Sequence, residues 1–214
     1  MSALDIVLAV ALGLGGYLLG SIPFALVVGK WGFGVDVRDH GSGNVGTTNV
    51  FRVLGRKAGI LVLAGDMTKG FVPAFIAGHV YGPWLAVILG VMPVLGHMYS
   101  IFLRGSGGKG VATAAAVILA LMPMIFLILA AVWVVVLLST RLVSLASLCA
   151  TVGFATLTFI FHEPLAYRIV AVIVGAIVVW AHRGNIRRIA LRCESRVTFP
   201  WNPRPAESSK AGRP

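Results

Sequence analysis

Three polar segments interrupt an otherwise apolar chain, and each carries groups able to hold an anion. The first, HGSGNVGTTNVFR over 40–52, combines Gly41, Gly43 and Gly46 with the uncharged donors Ser42, Asn44, Thr47, Thr48 and Asn49, and ends on Arg52. Glycines let a ligand approach free backbone N–H groups, hydroxyls and amides add neutral donors, and a guanidinium adds a fixed positive fork, which together make an anion cradle. A formal G-x-G-x-x-G match is present. A dinucleotide site would also need an apolar strand before it and a suitably placed acid about 20 residues on. Here VDVRDH precedes it and Asp66 falls in an apolar run, so that reading is set aside. A plain Gly/Asn turn joining two helices is the simpler alternative.

The second segment, RGSGGKGVAT over 104–113, fails the Walker A test, because Leu103 stands at the first glycine position and Gly110 follows Lys109. It is still a glycine-rich turn (Gly107, Gly108, Gly110) feeding a helix N-terminus, where unpaired N–H groups and the helix dipole favour an anion. Lys109 supplies the point charge, and His97, late in the preceding apolar run, is a candidate to face the same cavity, the simpler alternative being a helix histidine satisfied in place. The third segment, HRGNIRRIALRCE over 182–194, reads most simply as an interfacial amphipathic helix. Ile186, Ile189 and Ala190 form its apolar edge, and Arg187, Arg188 and Arg192 face anionic headgroups. His182 and Asn185, three residues apart on one helix face, are its stronger functional candidates. Asp66 and Lys69 each cost about 2.5–3.5 kcal/mol at the centre of a membrane helix, so at i, i+3 they either pair structurally or serve a site in the bundle interior.

The elements that carry these segments follow from composition. Of 214 residues 58% are hydrophobic and only 12% charged, too little polar surface to cover a soluble globule. Eighteen Lys and Arg against seven Asp and Glu give a net charge of +11, but long apolar runs divide the basic residues, which argues against a nucleic-acid partner. Apolar runs at Leu4–Val28, Gly59–Gly78, Trp84–Leu103, Leu142–Phe161 and Ala166–Ala181 are long enough, with their flanks, to span about 30 Å of hydrocarbon. Val111–Ser139 holds 29 uncharged residues with Pro123 near its middle. If it passes out and back, 16 of the 18 basic residues share one side, as the positive-inside rule requires. The expectation is an all-α polytopic transmembrane bundle of seven helical segments, with the N-terminus outside and the C-terminus cytoplasmic. The two segments flanking Pro123 should be abbreviated and packed inside. Residues 1–198 form a single transmembrane domain, and 199–214 a polar, disordered cytoplasmic tail. The opening residues lack the basic stretch of a signal peptide, so the first helix should stay as a membrane span.

GSGNVGTTN with Arg52, GHMYSIFLRGSGGKGVAT, and HRGNIRRI with Glu194 occur in that order, and together they resemble the bacterial acyl-phosphate:glycerol-3-phosphate acyltransferase family, PlsY. The likeness runs from the first helix to about Glu194. Thr47 stands where the family usually has Ala, Ser100 where it usually has Pro, and a less glycine-rich stretch surrounds Cys193. The resemblance implies transfer of a fatty acyl group from acyl phosphate to the 1-hydroxyl of glycerol 3-phosphate, giving lysophosphatidic acid and phosphate at the entry to phospholipid synthesis. It implies a multi-pass protein of the bacterial inner membrane with its site facing the cytoplasm, membrane lipids around it, and an acyl-phosphate-forming enzyme as functional partner. The family pattern carries over onto Ser42, Arg52, Lys109, His182 and Asn185 as substrate or catalytic residues, with Ser42, Lys109, His182 and Asn185 the expected catalytic set. From their place in or beside the polar segments, Asn44, Thr48, Asn49, Lys69, His97, Gly107, Gly108 and Gly110 are expected to join Ser42, Arg52, Lys109 and Asn185 in substrate binding.

No cofactor is expected, and no carboxylate or histidine cluster has metal-ligand spacing. None of the five histidines is followed by Asp five residues later: Val45, Trp84, Phe102, Tyr167 and Arg187 occupy those positions. A His–Asp base of that kind is therefore absent. Direct attack by the substrate hydroxyl on the mixed anhydride is the expected chemistry. Either the substrate's own phosphate or His182 takes the proton. An anion or lipid transporter is the competing reading, since intramembrane Asp66 and Lys69 and broken helices are transporter features.

Overall fold

The computed structural model describes residues 2–197, and among these there are helices and no strands. Helix α1 (Ala3–Ser21) begins on a capping box in which the Ser2 hydroxyl accepts from the Asp5 amide while the Asp5 carboxylate accepts from the Ser2 amide. It stops before Pro23, and a short turn and a π-helical stretch, Val27–Gly32, carry the chain to the first polar segment. Helix α2 (Thr47–Val80) follows, broken at Gly55, whose φ of +79° only glycine adopts readily. The 47–54 portion is thereby set at its own angle to the rod that carries Asp66 and Lys69. Helix α3 (Pro83–Met98) ends in a 3₁₀ turn, Ile101–Leu103, and the second polar segment.

Val111–Ser139 breaks at Met122–Pro123 as expected, into α4 (Val111–Leu121) and α5 (Pro123–Thr140). The two pieces are unequal, which corrects the expectation of two abbreviated inner helices. Helix α4, about 16 Å long, lies inside against α2. Helix α5, about 27 Å long, is peripheral, burying only Ile125 and Leu129 while Met124, Leu127, Val135 and Leu138 point outward. Helices α6 (Val143–Ile160) and α7 (Leu165–Ala181) complete the bundle, and the chain bends by 58° at His182 into α8 (Arg183–Ala190). By length and hydropathy five helices are fit to cross a membrane, and α7 with α8, taken as one bent span, is a sixth. The run from Leu4 is thus helical to Ser21 with a kinked extension, and the run from Trp84 ends as α-helix at Met98. The tail at 199–214 lies outside the described residues.

Small residues bring the bundle's centre together, as they do where lipid supplies no hydrophobic drive between helices. Gly13, Gly16 and Gly20 line one face of α1 at helical spacing and are buried against α3. A Cβ on Gly20 would lie 2.2 Å from the Pro93 carbonyl oxygen, and one on Gly96 2.2 Å from that of Tyr17, so backbone packs on backbone. The seam is locked by the Ser100 hydroxyl donating to the Ser21 carbonyl (2.6 Å) and the Tyr17 hydroxyl donating to the Tyr99 carbonyl (2.7 Å). This fixes the start of the second polar segment relative to α1. Gly20→Val should therefore cost about 3 kcal/mol or more by forcing the helices apart, whereas Gly15→Val, with nothing within 4 Å, should be near neutral. Thermal unfolding of the two variants in detergent checks this, and equal melting temperatures would refute the seam.

Candidate active site

In the first segment Asn49 is buried at 2% exposure and all its polar atoms are committed to the loop itself. Its Oδ1 accepts from the Ser42 amide (2.9 Å), and its Nδ2 donates to the carbonyls of Val37 (2.9 Å) and His40 (3.1 Å). Asn44 Oδ1 accepts from the Gly46 amide (2.9 Å), closing a local Asx turn. Both asparagines thus build the loop from within. Ser42, Thr48 and Arg52 remain exposed on it, with Thr48 and Arg52 one helical turn apart at the start of α2.

The second segment divides in the same way. The amides of Gly107 and Gly108 donate to the carbonyls of Met98 and His97, both at 3.0 Å, and so cap the end of α3 instead of facing a ligand. A Cβ on Gly108 would sit 2.2 Å from His97 Nε2, so the ring lies against the loop. What this segment leaves open is Lys109 and the first turn of α4, whose amides precede the first intrahelical bond, from Ala114 to Gly110 (2.8 Å).

His97 does not join Lys109, which corrects the expectation of one shared cavity. Its Nδ1 lies 3.4 Å from Asp66 Oδ1, and Lys69 Nζ lies 2.9 Å from the same oxygen. Lys69 also donates to the Ile22 carbonyl (2.9 Å), and the Thr47 hydroxyl donates to Asp66 Oδ2 (3.3 Å). Asp66 and Lys69 are 1% exposed, deep in the bundle and paired. A small internal space touches Lys69, His97, Asp66, Ser21, Ser100 and Gly108. One of the three lysine protons has no described acceptor.

Lys109 instead meets the third segment. Its ammonium donates to Asn185 Oδ1, Asn185 Nδ2 donates to Glu194 Oε1 (2.6 Å), and the same oxygen accepts from the Ser144 hydroxyl (2.9 Å). Arg188 Nε donates to Glu194 Oε2 (2.6 Å). Burial raises the Glu194 carboxyl, but the hydrogen bonds from Asn185, Arg188 and Ser144 outweigh it and hold the group below its ordinary range. Burial, reinforced by the nearby positive charges of Arg188 and Arg52 and opposed by Glu194, brings Lys109 down from 10.5 to about 8. Arg52 of the first segment and Arg188 of the third are therefore electrostatic neighbours of Lys109.

His182, 2% exposed, stands at the α7–α8 bend with Nδ1 2.8 Å from the Val178 carbonyl. A carbonyl only accepts, so in the neutral ring Nδ1 carries the proton and Nε2 keeps a lone pair. The arrangement offers a tunable ammonium, helix-start amides, a guanidinium and an imidazole able to accept a proton, at the edge of an apolar bundle. Glu194 and Ser144 are the members that residue-level reasoning passed over. Glu194 had a signal, as the lone acid among Arg183, Arg187, Arg188, Arg192 and Arg196; Ser144, in an apolar run, had none.

Residues 10–192 match the family model described as glycerol-3-phosphate acyltransferase. Curated relatives named glycerol-3-phosphate acyltransferase include one from Geobacillus kaustophilus, 43% identical over 94% of this chain and 98% of its own. Another, from Aquifex aeolicus, is 45% identical over 84% of this chain and 94% of its own. Among solved structures, the glycerol 3-phosphate form of PlsY, an integral membrane glycerol 3-phosphate acyltransferase, superposes with a TM-score of 0.86 at 44% identity. It covers 89% of this chain and 96% of that one. The lysophosphatidic acid form of the same enzyme gives 0.84 at 43% identity, with 89% and 95% covered. The chain therefore belongs to the glycerol-3-phosphate acyltransferase family.

Proposed function

We propose that this protein transfers a fatty acyl group from acyl phosphate to the 1-hydroxyl of glycerol 3-phosphate, forming lysophosphatidic acid and inorganic phosphate. The observation that carries the reading is the junction of Lys109, Asn185 and Glu194 beside a buried histidine with a free lone pair. Lys109, Arg52, Ser42, Thr48 and Asn185 hold the glycerol 3-phosphate, with Asn49 and Asn44 shaping the loop that presents them. The donor's phosphate lies toward Lys69 and His97, where the remaining lysine proton faces it. The resident Asp66–Lys69 pair is hydrogen-bonded on several sides, which supports a fixed anion subsite over a transporter's moving charge.

The glycerol hydroxyl oxygen attacks the carbonyl carbon of the mixed anhydride, and the carbon–oxygen bond to phosphate breaks with its electron pair leaving on the phosphate. The hydroxyl proton passes to His182 Nε2 or to the phosphate of the acceptor, whose second pKa is about 6 by analogy with phosphoserine. Cationic and amide donors stabilise the charge that develops. An inner-membrane setting with the site on the cytoplasmic face, N-terminus outside and C-terminus inside is supported by 16 of 18 basic residues falling on one side. An acyl-phosphate-forming enzyme then supplies the donor on that face.

Purified protein given acyl phosphate and glycerol 3-phosphate should release phosphate only when both are present; release independent of glycerol 3-phosphate overturns the assignment. His182→Ala and His182→Gln should each lower kcat by about 10²- to 10⁴-fold if His182 is the base, and a loss under about tenfold transfers that role to the substrate phosphate. A pH profile tests Lys109. It is charged below about 8 and loses its charge above, while the acceptor phosphate is already dianionic at pH 7. The kcat/KM for glycerol 3-phosphate should thus fall by about tenfold from pH 7 to pH 9, and Lys109→Arg should flatten that limb. An unchanged limb in the arginine variant would dissociate it from Lys109.

A further inference from the structure

Helix α8 has two unlike sides. Asn185 is buried and tied to Lys109 and Glu194, while Arg183, Ile186 and Arg187 are exposed on the other side, followed by exposed Leu191 and Arg192. Arg183 and Arg187 stand at i, i+4, where like charges repel, and among the described residues neither has a carboxylate partner. The Arg183 guanidinium stacks 3.9 Å from the Trp180 ring centroid and donates to the Trp180 carbonyl (3.1 Å). Trp180 itself is 60% exposed. A tryptophan at the end of an apolar helix, an arginine on its face, and further arginines mixed with exposed aliphatic residues suit the boundary between hydrocarbon and negatively charged headgroups. Lone anions in solution would not account for the exposed Ile186 and Leu191, whereas a lipid surface accommodates both kinds of side chain.

Resting on the acyl-transfer reading above, we propose that α8 docks through Arg183 and Arg187 onto anionic phospholipid headgroups, and that this docking holds Asn185 against Lys109. The 58° bend at His182 makes α8 a lever: its outer face meets the membrane surface, and its inner face carries a ligand of the catalytic lysine. Arg183 and Arg187 are positioning residues, and the charge of the surrounding lipid becomes a determinant of turnover. The enzyme's own product feeds an anionic lipid pool, so synthesis is coupled to the surface it builds.

The test uses full-length protein already shown to release phosphate in neutral detergent micelles, so that failure of acyl transfer itself appears there first. It is then reconstituted into phosphatidylcholine vesicles, with or without about one-third phosphatidylglycerol. At saturating substrates the wild-type kcat should rise at least about threefold with phosphatidylglycerol, since two arginines near such a surface shift a docking balance by up to about 30-fold. The R183Q/R187Q double variant should match wild type in micelles and stay flat in vesicles. Repulsion of the substrate phosphate by the surface raises KM for both proteins alike, so kcat separates positioning from local concentration. In a Cys149→Ser background, alkylation of exposed Cys193 should slow in anionic vesicles for the wild-type arginines and not for the variant. A wild-type kcat indifferent to phosphatidylglycerol, or an equal response in the double variant, overturns the proposal, as does Cys193 alkylation that ignores both lipid and arginines.

Discussion

Nearly every buried polar side-chain atom described in this apolar bundle finds a partner within the protein, Thr113 Oγ1 being the exception, and that requirement determines which atoms are left for substrate. An unpaired buried amide or hydroxyl costs on the order of 1–3 kcal/mol, so partners are found wherever geometry permits. The Asn49 amide is used to close its own loop, and the Gly107 and Gly108 amides cap α3. Asp66 and Lys69 satisfy each other with help from Thr47 and the Ile22 carbonyl. The remainder, which includes the Ser42 and Thr48 hydroxyls, Arg52, Lys109, the first-turn amides of α4, the third Lys69 proton and the far nitrogen of His182, is what this network leaves for a ligand.

That remainder is useful only if three segments distant in sequence are held in register. The first and second are referred to one another through α1, where glycine packing lets backbone touch backbone and Ser100 and Tyr99 fasten the far side. The third is held by Glu194, which gathers Asn185, Arg188 and Ser144 around one carboxylate. Breaking such a partly buried charged network leaves donors without acceptors, so its cost exceeds that of any single contact. Ser100 closes the α1 seam, because its hydroxyl donates to the Ser21 carbonyl across 79 residues of sequence.

Much of this was legible before any coordinates. Apolar run lengths, the break at Pro123 and the clustering of glycines beside Arg52 and Lys109 are local signals, because hydrocarbon thickness and turn chemistry act on neighbouring residues. Partner assignments were not. Asn49 and Ser42 look equally available in a string of polar residues, and only the approach of Val37 and His40 distinguishes the builder from the presenter. His97 was drawn to Lys109 by proximity along the chain, yet the α3 helix turns its ring toward Asp66. Nor could periodicity tell that α4 would be enclosed and α5 peripheral, since both are apolar all round and the difference lies in which neighbours reach them.

The bend at His182 also constrains how the chain can change over time. His182 and Asn185 are joined by only two residues across that bend, one hydrogen-bonded back to α7 and the other reaching forward to Lys109. Adding or removing a single residue there would rotate Asn185 about the α8 axis by about 100°, carrying its amide away from the lysine while leaving the composition almost untouched. The count of residues between the two is therefore as constrained as the residues themselves. In this stretch length, as well as chemical identity, is what inheritance must preserve.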